Sequence, residues 1–345
     1  MAYTTINKST DHFNTVTYTG TGSAQSITGV GFRPDWVWGK NRSTTNYHNL
    51  EDVVRGAGKR LSSNVTEAET TESVNFTSFD SDGFTVGTGD NVNKNGSNIV
   101  VWNWLAGNSA GSSNTDGTIN STVSVNTTAG FSIVSYTGTG ANATVGHGLG
   151  TAPKVVIVKN RTSAENWQVY HGSISGMSGG YITLNNTDGF LTNITNFWNG
   201  DHSSTVIDIG SNNGTNQSGN SLVAYCFAEK KGYSKFGSYT GNGNADGPFV
   251  YTGFKPAWVL VKNTSGSGDN WIIVDNKRLG YNPDNRLLFP NASNAEYTDN
   301  NLDLLSNGFK ARVSYDPNGS GNTMIYMAFA EAPLVGSNNV PCTAR

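Results

Sequence analysis

Three segments of the chain share one pattern: a proline, an apolar run of β-branched and aromatic residues, and a terminal Lys-Asn. They are residues 34–41, 153–160 and 256–263. The composition is typical of a β-strand that follows a loop and ends at polar residues. Both faces of the strand are apolar, because Trp258 and Leu260 point to one side and Val259 and Val261 to the other. The pattern therefore predicts a strand covered on both sides, near the middle of a small β-sandwich.

Two further landmarks recur in each copy. A Tyr-Thr-Gly-x-Gly motif precedes each copy, at intervals of 118 and 103 residues, and the Lys-Asn ends recur at intervals of 119 and 103. Each copy also closes with a strand that carries large side chains at alternating positions. These strands are residues 100–104, 223–229 and 325–331. Because independent landmarks agree in register, they predict three tandem units with one fold.

The composition indicates which fold these units have. Charged residues make up 14% of the chain, against about 25% in an average domain, and Gly, Asn, Ser and Thr replace them. These residues favour tight turns and short strands over helices. We therefore predict an all-β chain of three tandem antiparallel β-sandwich-like modules with little or no helix. A parallel β-helix is the alternative fold, but its repeat is much shorter than 103 residues.

The landmarks also place the boundaries of the units. Residues 108–129 are rich in Gly, Ser, Asn and Thr and are predicted as a linker, with one alternating stretch at 122–125. Only residues 230–234 join the second unit to the third, so we expect those two units to form a rigid pair. The predicted division is an N-terminal arm 1–12, a first unit 13–107, the linker 108–129, a second unit 130–231, a third unit 232–332 and a C-terminal tail 333–345.

Charge and composition also exclude several partners and cofactors. A net charge of −3 without any run of like charge predicts no nucleic-acid partner. No apolar run approaches the ~18 residues that span a bilayer, so no membrane insertion is predicted. Cys226 and Cys342 predict neither a disulfide nor a zinc site. The five histidines lack metal-ligand spacing, so we predict no metal and no other cofactor.

Acidic pairs raise the question of glycan cleavage, which uses two carboxylates on either side of the scissile bond. Glu51-Asp52 and Asp80/Asp82 are such pairs, yet neither recurs as a pair in the other units. Asp82 also begins an Asp-Gly turn, which gives it a structural role. We therefore predict no enzymatic activity and no catalytic residues.

Four motifs together resemble repeats in tail-fibre and other virion proteins of tailed bacteriophages, particularly marine ones. They are Tyr-Thr-Gly-x-Gly, Pro-x-Trp-Val-x-x-Lys-Asn, Trp-x-x-Tyr-His and Val-Ala-Tyr-Cys-Phe-Ala-Glu. The resemblance implies a non-enzymatic virion structural protein, a tail fibre or surface-exposed appendage that contributes to host attachment. It implies that the partners are other virion proteins and host cell-surface glycan. It also implies a homo-oligomer, which we expect to be a trimer. The alternatives are a capsid decoration protein and a glycan-degrading tailspike.

Charged side chains follow the Lys-Asn end at similar distances in each unit. Asp52 and His171 lie 11 residues beyond their Asn, Asp275 lies 12 beyond, and Arg55 and Arg278 each follow an Asp by three. An Asp and an Arg beside one loop could hold sugar hydroxyls or a partner subunit by charge-assisted hydrogen bonds. The alternative is a loop-closing ion pair, which the frequency of exposed pairs favours.

Aromatic residues occur at matching positions in the same loops: Tyr47, Trp167 and Trp271. Exposed rings could stack on sugars, whereas the area that a Trp or Tyr can bury favours a core position. We expect constant strands to present variable loops as a binding surface. On that hypothesis, Trp271→Ala and Arg278→Ala leave folding almost intact and weaken attachment. The candidate surface or ligand contacts are Tyr47, Asp52, Arg55, Trp167, His171, Trp271, Asp275 and Arg278.

Overall fold

The computed structural model describes residues 4–278, 282 and 286–333. Of the described residues, 43% lie in strands and 4% in helices, which confirms the prediction of an all-β fold with little helix. In the described part of the chain, no helix is long and apolar enough to cross a membrane. Cys342 and all of the predicted C-terminal tail except Pro333 lie outside the described residues.

The first unit has a four-stranded main sheet in the order β1-β9-β3-β4, a second sheet β2-β8-β7 and a hairpin β5-β6. Its elements are β1 (Phe13–Thr19), β2 (Gln25–Thr28), β3 (Trp36–Asn41), β4 (Asn49–Asp52), β5 (Lys59–Arg60), β6 (Thr70–Thr71), β7 (Phe76–Asp80), β8 (Gly83–Val86), α1 (Asp90–Asn93) and β9 (Asn98–Trp104).

The second unit has a main sheet β10-β11-β12-β19-β14-β15-β16-β17 and a small sheet β13-β18. Its elements are β10 (Ser112–Asn114), β11 (Ser121–Asn126), β12 (Phe131–Thr137), β13 (Ala143–Gly146), β14 (Val155–Asn160), β15 (Gln168–His171), β16 (Gly180–Thr183), β17 (Leu191–Thr192), β18 (Val206–Ile209), α2 (Asn213–Asn216) and β19 (Ser221–Phe227). Short 3-10 turns occur at Ser9–Asp11 and Met177–Gly179.

The third unit repeats the first, with a main sheet β20-β28-β22-β23, a second sheet β21-β27-β26 and a hairpin β24-β25. Its elements are β20 (Ser234–Thr240), β21 (Phe249–Tyr251), β22 (Phe254–Asn263), β23 (Ile272–Asp275), β24 (Arg286–Leu287), β25 (Tyr297–Thr298), β26 (Leu302–Leu305), β27 (Gly308–Ala311) and β28 (Thr323–Pro333).

The strand that ends in Lys-Asn occupies the same place in each main sheet. It lies between the closing strand and the strand that follows it in sequence, as β3, β14 and β22. In the first unit, Val37 packs into a core beneath the second sheet, while Trp36 and Trp38 on the opposite face enter a larger core. The apolar character of both faces is therefore explained by two different layers of packing.

The segment 108–129 is part of the second unit. It contains β10 and β11, and β11 pairs with β12 from Ser121↔Tyr136 to Asn126↔Phe131. Ile119 is buried in the large core. The prediction of a linker is corrected accordingly, because the alternating stretch supplies a full strand that extends the sheet.

The three units close into a ring around a shared aromatic core, so that each unit contacts both of the others. Ring centroids lie 4.4 Å apart for Trp36 and Tyr225, 5.9 Å for Phe227 and Phe329, and 5.7 Å for Trp104 and Trp258. The N-terminal arm joins the same core through Ile6. The second and third units pack against each other, as expected, and the first unit packs against both of them.

Candidate functional site

The structure corrects the surface placement of seven of the eight candidate contact residues. Tyr47 is 38% exposed, whereas the other seven are buried. Those buried are Asp52, Arg55, Trp167, His171, Trp271, Asp275 and Arg278. They lie where one unit meets the next, and the sequence alternatives, a core aromatic and a loop-closing ion pair, describe their positions.

At the junction of the first and second units, Asp52 and Arg55 form a fully buried ion pair. Nε of Arg55 lies 2.5 Å from Oδ2 of Asp52, and neither side chain is exposed to solvent. The hydroxyl of Tyr225, in β19 of the second unit, donates to the same Oδ2 at 2.8 Å. Glu69 then binds both Arg55, at 3.1 Å, and Arg161 of the second unit, at 2.8 Å. The pair therefore closes a loop and holds two units together.

The junction of the third and first units repeats this arrangement. Nε of Arg278 lies 2.7 Å from Oδ2 of Asp275, and the indole N–H of Trp102, in β9 of the first unit, donates to that oxygen at 2.9 Å. The guanidinium carbon of Arg278 also lies 5.9 Å from the centre of the Trp102 ring. Arg278 binds Glu296, which in turn binds Arg42 of the first unit.

The junction of the second and third units uses a different polar contact at the same place. Nδ1 of His171 accepts a backbone N–H from Ser173, so Nε2 carries the proton and donates to the carbonyl of Tyr326 at 3.2 Å. Burial lowers the pKa of His171 to about 4, which keeps the imidazole neutral at pH 7.

The use of a histidine at one junction and of Asp–Arg pairs at the other two follows from the closing strands. The registers of these strands place Trp102, Tyr225 and Met327 at equivalent positions. Trp and Tyr donate a hydrogen bond, and each faces an aspartate. The side chain of Met327 cannot donate one, and the facing residue is a histidine that donates to the backbone instead. The variation among positions 52, 171 and 275 is therefore matched to the neighbouring unit.

The buried tryptophans of the loops also bind across the junctions. The indole N–H of Trp167 donates to the carbonyl of Ser62, and that of Trp271 to the carbonyl of Thr183, both at 2.9 Å. In the first unit the equivalent side chain is His48, whose Nε2 lies 3.0 Å from the carbonyl of Phe289.

The assignment of His48 rests on a shared backbone contact. The backbone N–H groups of His48, Trp167 and Trp271 each donate to an asparagine Oδ1. Those asparagines are Asn64, Asn185 and Asn291. The sequence match to Tyr47 was therefore displaced by one residue.

The lysine of each Lys-Asn end is a junction residue that the sequence analysis missed. The three ammonium groups are buried and donate to carbonyls of a neighbouring unit, Lys40 to Ser293 at 3.1 Å, Lys159 to Thr66 at 3.0 Å and Lys262 to Thr187 at 3.1 Å. Burial lowers the pKa of Lys40 to about 7 and that of Lys159 to about 8. The recurrence of Lys in all three copies was the available signal, since a simple strand end does not require it.

The residues that gather at the junctions do not form a metal site. Among the residues that the structure describes, no group of three or more His, Cys, Asp or Glu side chains could hold a metal ion. The thiol of Cys226 is buried, and burial raises its pKa to about 12. It therefore remains a thiol and packs as a small apolar side chain.

A cleft of about 350 Å³ opens on the surface of the third unit. Two tyrosines that line it, Tyr297 and Tyr315, are 56% and 54% exposed. The other residues that line it are Gly268, Asp269, Asn270, Ile272, Leu287, Phe289, Asp299, Asn301 and Asp316. The lining residues come from the loop after β22, the start of β23, the β24-β25 hairpin and the segments before β26 and after β27.

The cleft lies where the third unit departs from the other two. In each unit a tyrosine of the opening strand donates to a carbonyl, namely Val92, Thr215 or Pro317. The first two carbonyls belong to α1 and α2. Residues 315–318 take the same place in the third unit, and in this described segment they form no helix.

The asparagine of the Lys-Asn end changes its partner at the same point. Asn41 donates its amide to the carbonyl of Asp90, the first residue of α1, at 3.0 Å. Asn160 makes the same bond to α2 at 3.1 Å. In the third unit, Asn263 donates instead to the carboxylate of Asp269 at 2.7 Å, which fixes one wall of the cleft.

Several polar groups in the cleft have distinct electrostatic environments. The hydroxyl of Tyr315 donates to Asp299 at 2.7 Å, and this bond raises the pKa of Tyr315 to about 12. Burial, together with the nearby Asp269, raises the pKa of Asp316 to about 7. Asn301 is only 3% exposed, and its Oδ1 has no hydrogen-bond partner among the described residues.

No curated protein and no solved structure matches the chain. A family model matches residues 8–333, a range that runs from the N-terminal arm to the end of β28 and includes all three units. The chain therefore belongs to the family described as a domain of unknown function, DUF7483.

Proposed function

We propose that this protein is a non-enzymatic structural protein of a bacteriophage virion, a tail fibre or other surface-exposed appendage that contributes to host attachment. The resemblance of its repeated motifs to virion proteins supports the proposal. Its partners are then other virion proteins and a host cell-surface glycan.

The structural observation that supports it is the use of charged side chains in the ring. The buried pairs Asp52–Arg55 and Asp275–Arg278 bind neighbouring units, and so stabilise a scaffold. On the surface, in contrast, the third unit has a cleft in the region where the other two units carry α1 and α2. A rigid scaffold that carries dissimilar loops is suited to the presentation of a binding surface.

The test is immunogold electron microscopy of purified virus particles whose genome encodes this chain, with an antibody against the purified protein. The proposal predicts gold at the tail or at another surface appendage. Gold spread over the capsid shell would instead identify the chain as a capsid decoration protein. Particles that carry no gold and lack the protein by mass spectrometry would overturn a virion role.

A second measurement tests the absence of catalysis. Purified protein incubated with host polysaccharide is expected to leave the polymer length unchanged by size-exclusion chromatography. Release of short oligosaccharides would contradict the proposal and favour a glycan-degrading tailspike. Neither measurement depends on the other.

We also propose that the chain assembles as a homotrimer on the particle. One chain already supplies three units around a common core, so assembly would add copies of a complete ring. Sedimentation of the folded protein is expected to give three times the chain mass, and a mass of 36.7 kDa would overturn the trimer.

A further inference from the structure

We propose that the cleft of the third unit binds a neutral sugar ring of a glycan. The inference deepens the proposed function, on which it rests for the source of that glycan at the host surface. Four observations carry it: exposed aromatic rings, unpartnered polar atoms, the charge of the lining, and the restriction of this arrangement to one unit.

The first observation is the pair of tyrosines in the cleft. Tyr297 and Tyr315 each expose more than half of their surface, and both line the same cleft. The apolar C–H face of a sugar ring packs on an aromatic face, while the phenol hydroxyl remains available for hydrogen bonds. Two such rings in one concave site give a sugar both stacking and orientation.

The second observation is a pair of unpartnered acceptors in the wall of the cleft. Asn301 is buried, and its Oδ1 has no partner among the described residues, although its amide nitrogen donates to the carbonyl of Asp316. One carboxylate oxygen of Asp316 is likewise buried without a partner in the described part of the chain. Buried acceptors are nearly always satisfied in folded proteins. Rotation of either side chain would present such an acceptor to a sugar hydroxyl in the cleft.

The third observation decides which sugars fit. The cleft is lined by Asp269, Asp299 and Asp316, and no Lys, Arg or His of the described residues lines it. Carboxylates accept hydrogen bonds from hydroxyls and repel other carboxylates or phosphates. The site therefore favours neutral hexoses and disfavours uronic acids, sialic acids and phosphorylated sugars.

The fourth observation is that these residues are specific to the third unit. The hairpin registers place Thr70 of β6 at the position of Tyr297. Asp90 of α1 and Asn213 of α2 stand where Tyr315 stands. The ring holds its first two units together without these tyrosines, so the junctions do not explain why the third unit has them.

The experiment applies the fluorescently labelled full chain to an array of neutral and acidic glycans, followed by saturation-transfer NMR with the best neutral glycan. Binding is expected for neutral glycans and not for uronic-acid or sialylated ones. Tyr297→Ala and Tyr315→Ala should each weaken binding at least tenfold. Tyr251→Ala is the matched control, because Tyr251 is a 58% exposed tyrosine of the same unit that lies outside the cleft.

Each outcome decides between the alternatives. Circular dichroism first verifies that the variants are folded, which the exposure of both tyrosines leads us to expect. The inference would be overturned if no neutral glycan on the array bound, or if neither tyrosine variant weakened the binding. A preference for acidic glycans would also overturn it. If the chain binds no glycan, immunogold labelling of particles can still show a virion role. If particles carry no gold, the isolated chain can still bind glycan, so the two proposals fail separately.

Discussion

The hydroxyl of Tyr225 in the second unit donates a 2.8 Å hydrogen bond to Asp52 in the first, across 173 positions of the sequence. The same carboxylate oxygen binds Arg55, so one buried atom joins an ion pair to a neighbouring unit. A buried carboxylate needs such partners, because its desolvation costs several kcal/mol. The buried Asp52 therefore requires a hydrogen-bond donor such as Tyr225 at the facing position of the second unit.

The first prediction concerns this bond. Tyr225→Phe should lower the free energy of unfolding by about 1.5–3 kcal/mol, the range for a hydrogen bond to a charged group. Urea titration followed by tryptophan fluorescence measures the change. Tyr251→Phe, at an exposed tyrosine, is the control and should stay within about 0.5 kcal/mol of the wild type. A Tyr225→Phe variant as stable as this control would show that the bond contributes nothing.

The second prediction replaces the expectation that Trp271 is a surface contact. Trp271→Ala should destabilise the chain by about 3–5 kcal/mol, as for other buried large aromatics. Because its indole binds Thr183 of the second unit, hydrogen exchange should accelerate in β16 as well as in β23. Acceleration of exchange confined to the third unit would contradict the packing of Trp271 against the second unit. Tyr297→Ala, which removes an exposed ring, should leave both strands protected.

The third prediction is a pH dependence that comes from Lys159. Burial lowers its pKa from 10.5 to about 8 in the folded chain. Between those values the unfolded chain binds more protons, so stability should rise with pH, by up to about 1.4 kcal/mol per pH unit. Lys159→Met should lose this contribution. Urea titrations at pH 8, 9 and 10 measure both slopes, and equal slopes for the variant and the wild type would refute the assignment.

The fourth prediction concerns acid stability at the junction of the second and third units. His171 has a folded pKa of about 4, against 6.5 ordinarily. The unfolded chain binds more protons between pH 6.5 and 4, so stability should fall as the pH is lowered through that window. His171→Gln retains a donor for the Tyr326 carbonyl and removes the titration. The variant should therefore lose less stability than the wild type between pH 6.5 and 4, and an equal loss would contradict the burial of neutral histidine.

The all-β fold and the central Lys-Asn strand could be predicted because they depend on local patterns. Alternation in β22 shows two apolar faces, but it does not reveal that one face meets another unit. The contact of Lys40 with the Ser293 carbonyl spans 253 positions and involves a backbone acceptor. The recurrence of Lys in the three copies marks the position, but no side-chain pattern identifies its partner. The spacing of Asp52 and Arg55 is visible in the sequence. Burial of the pair, however, depends on its contact with Tyr225 of the second unit, which the sequence does not show.

The cleft could not be predicted for a related reason. Its tyrosines and aspartates come from strand β25 and from separate loops between residues 268 and 316, and only the folded third unit brings them together. The segments equivalent to residues 315–318 are helical in the other two units. Comparison of the copies in sequence shows that Tyr315 differs from Asp90, but it does not show the space that opens beside it.

Closure of the ring has a consequence for synthesis on the ribosome. The first unit emerges with Trp102 and Trp104 on a face that is later covered by Trp258 of the third unit. Contacts between such distant segments form slowly, because the entropy of the long intervening chain opposes them. We expect the nascent first unit to keep an uncovered aromatic surface until the last third of the protein has been translated. During that interval, chaperones and neighbouring nascent chains compete with the native partner for this surface.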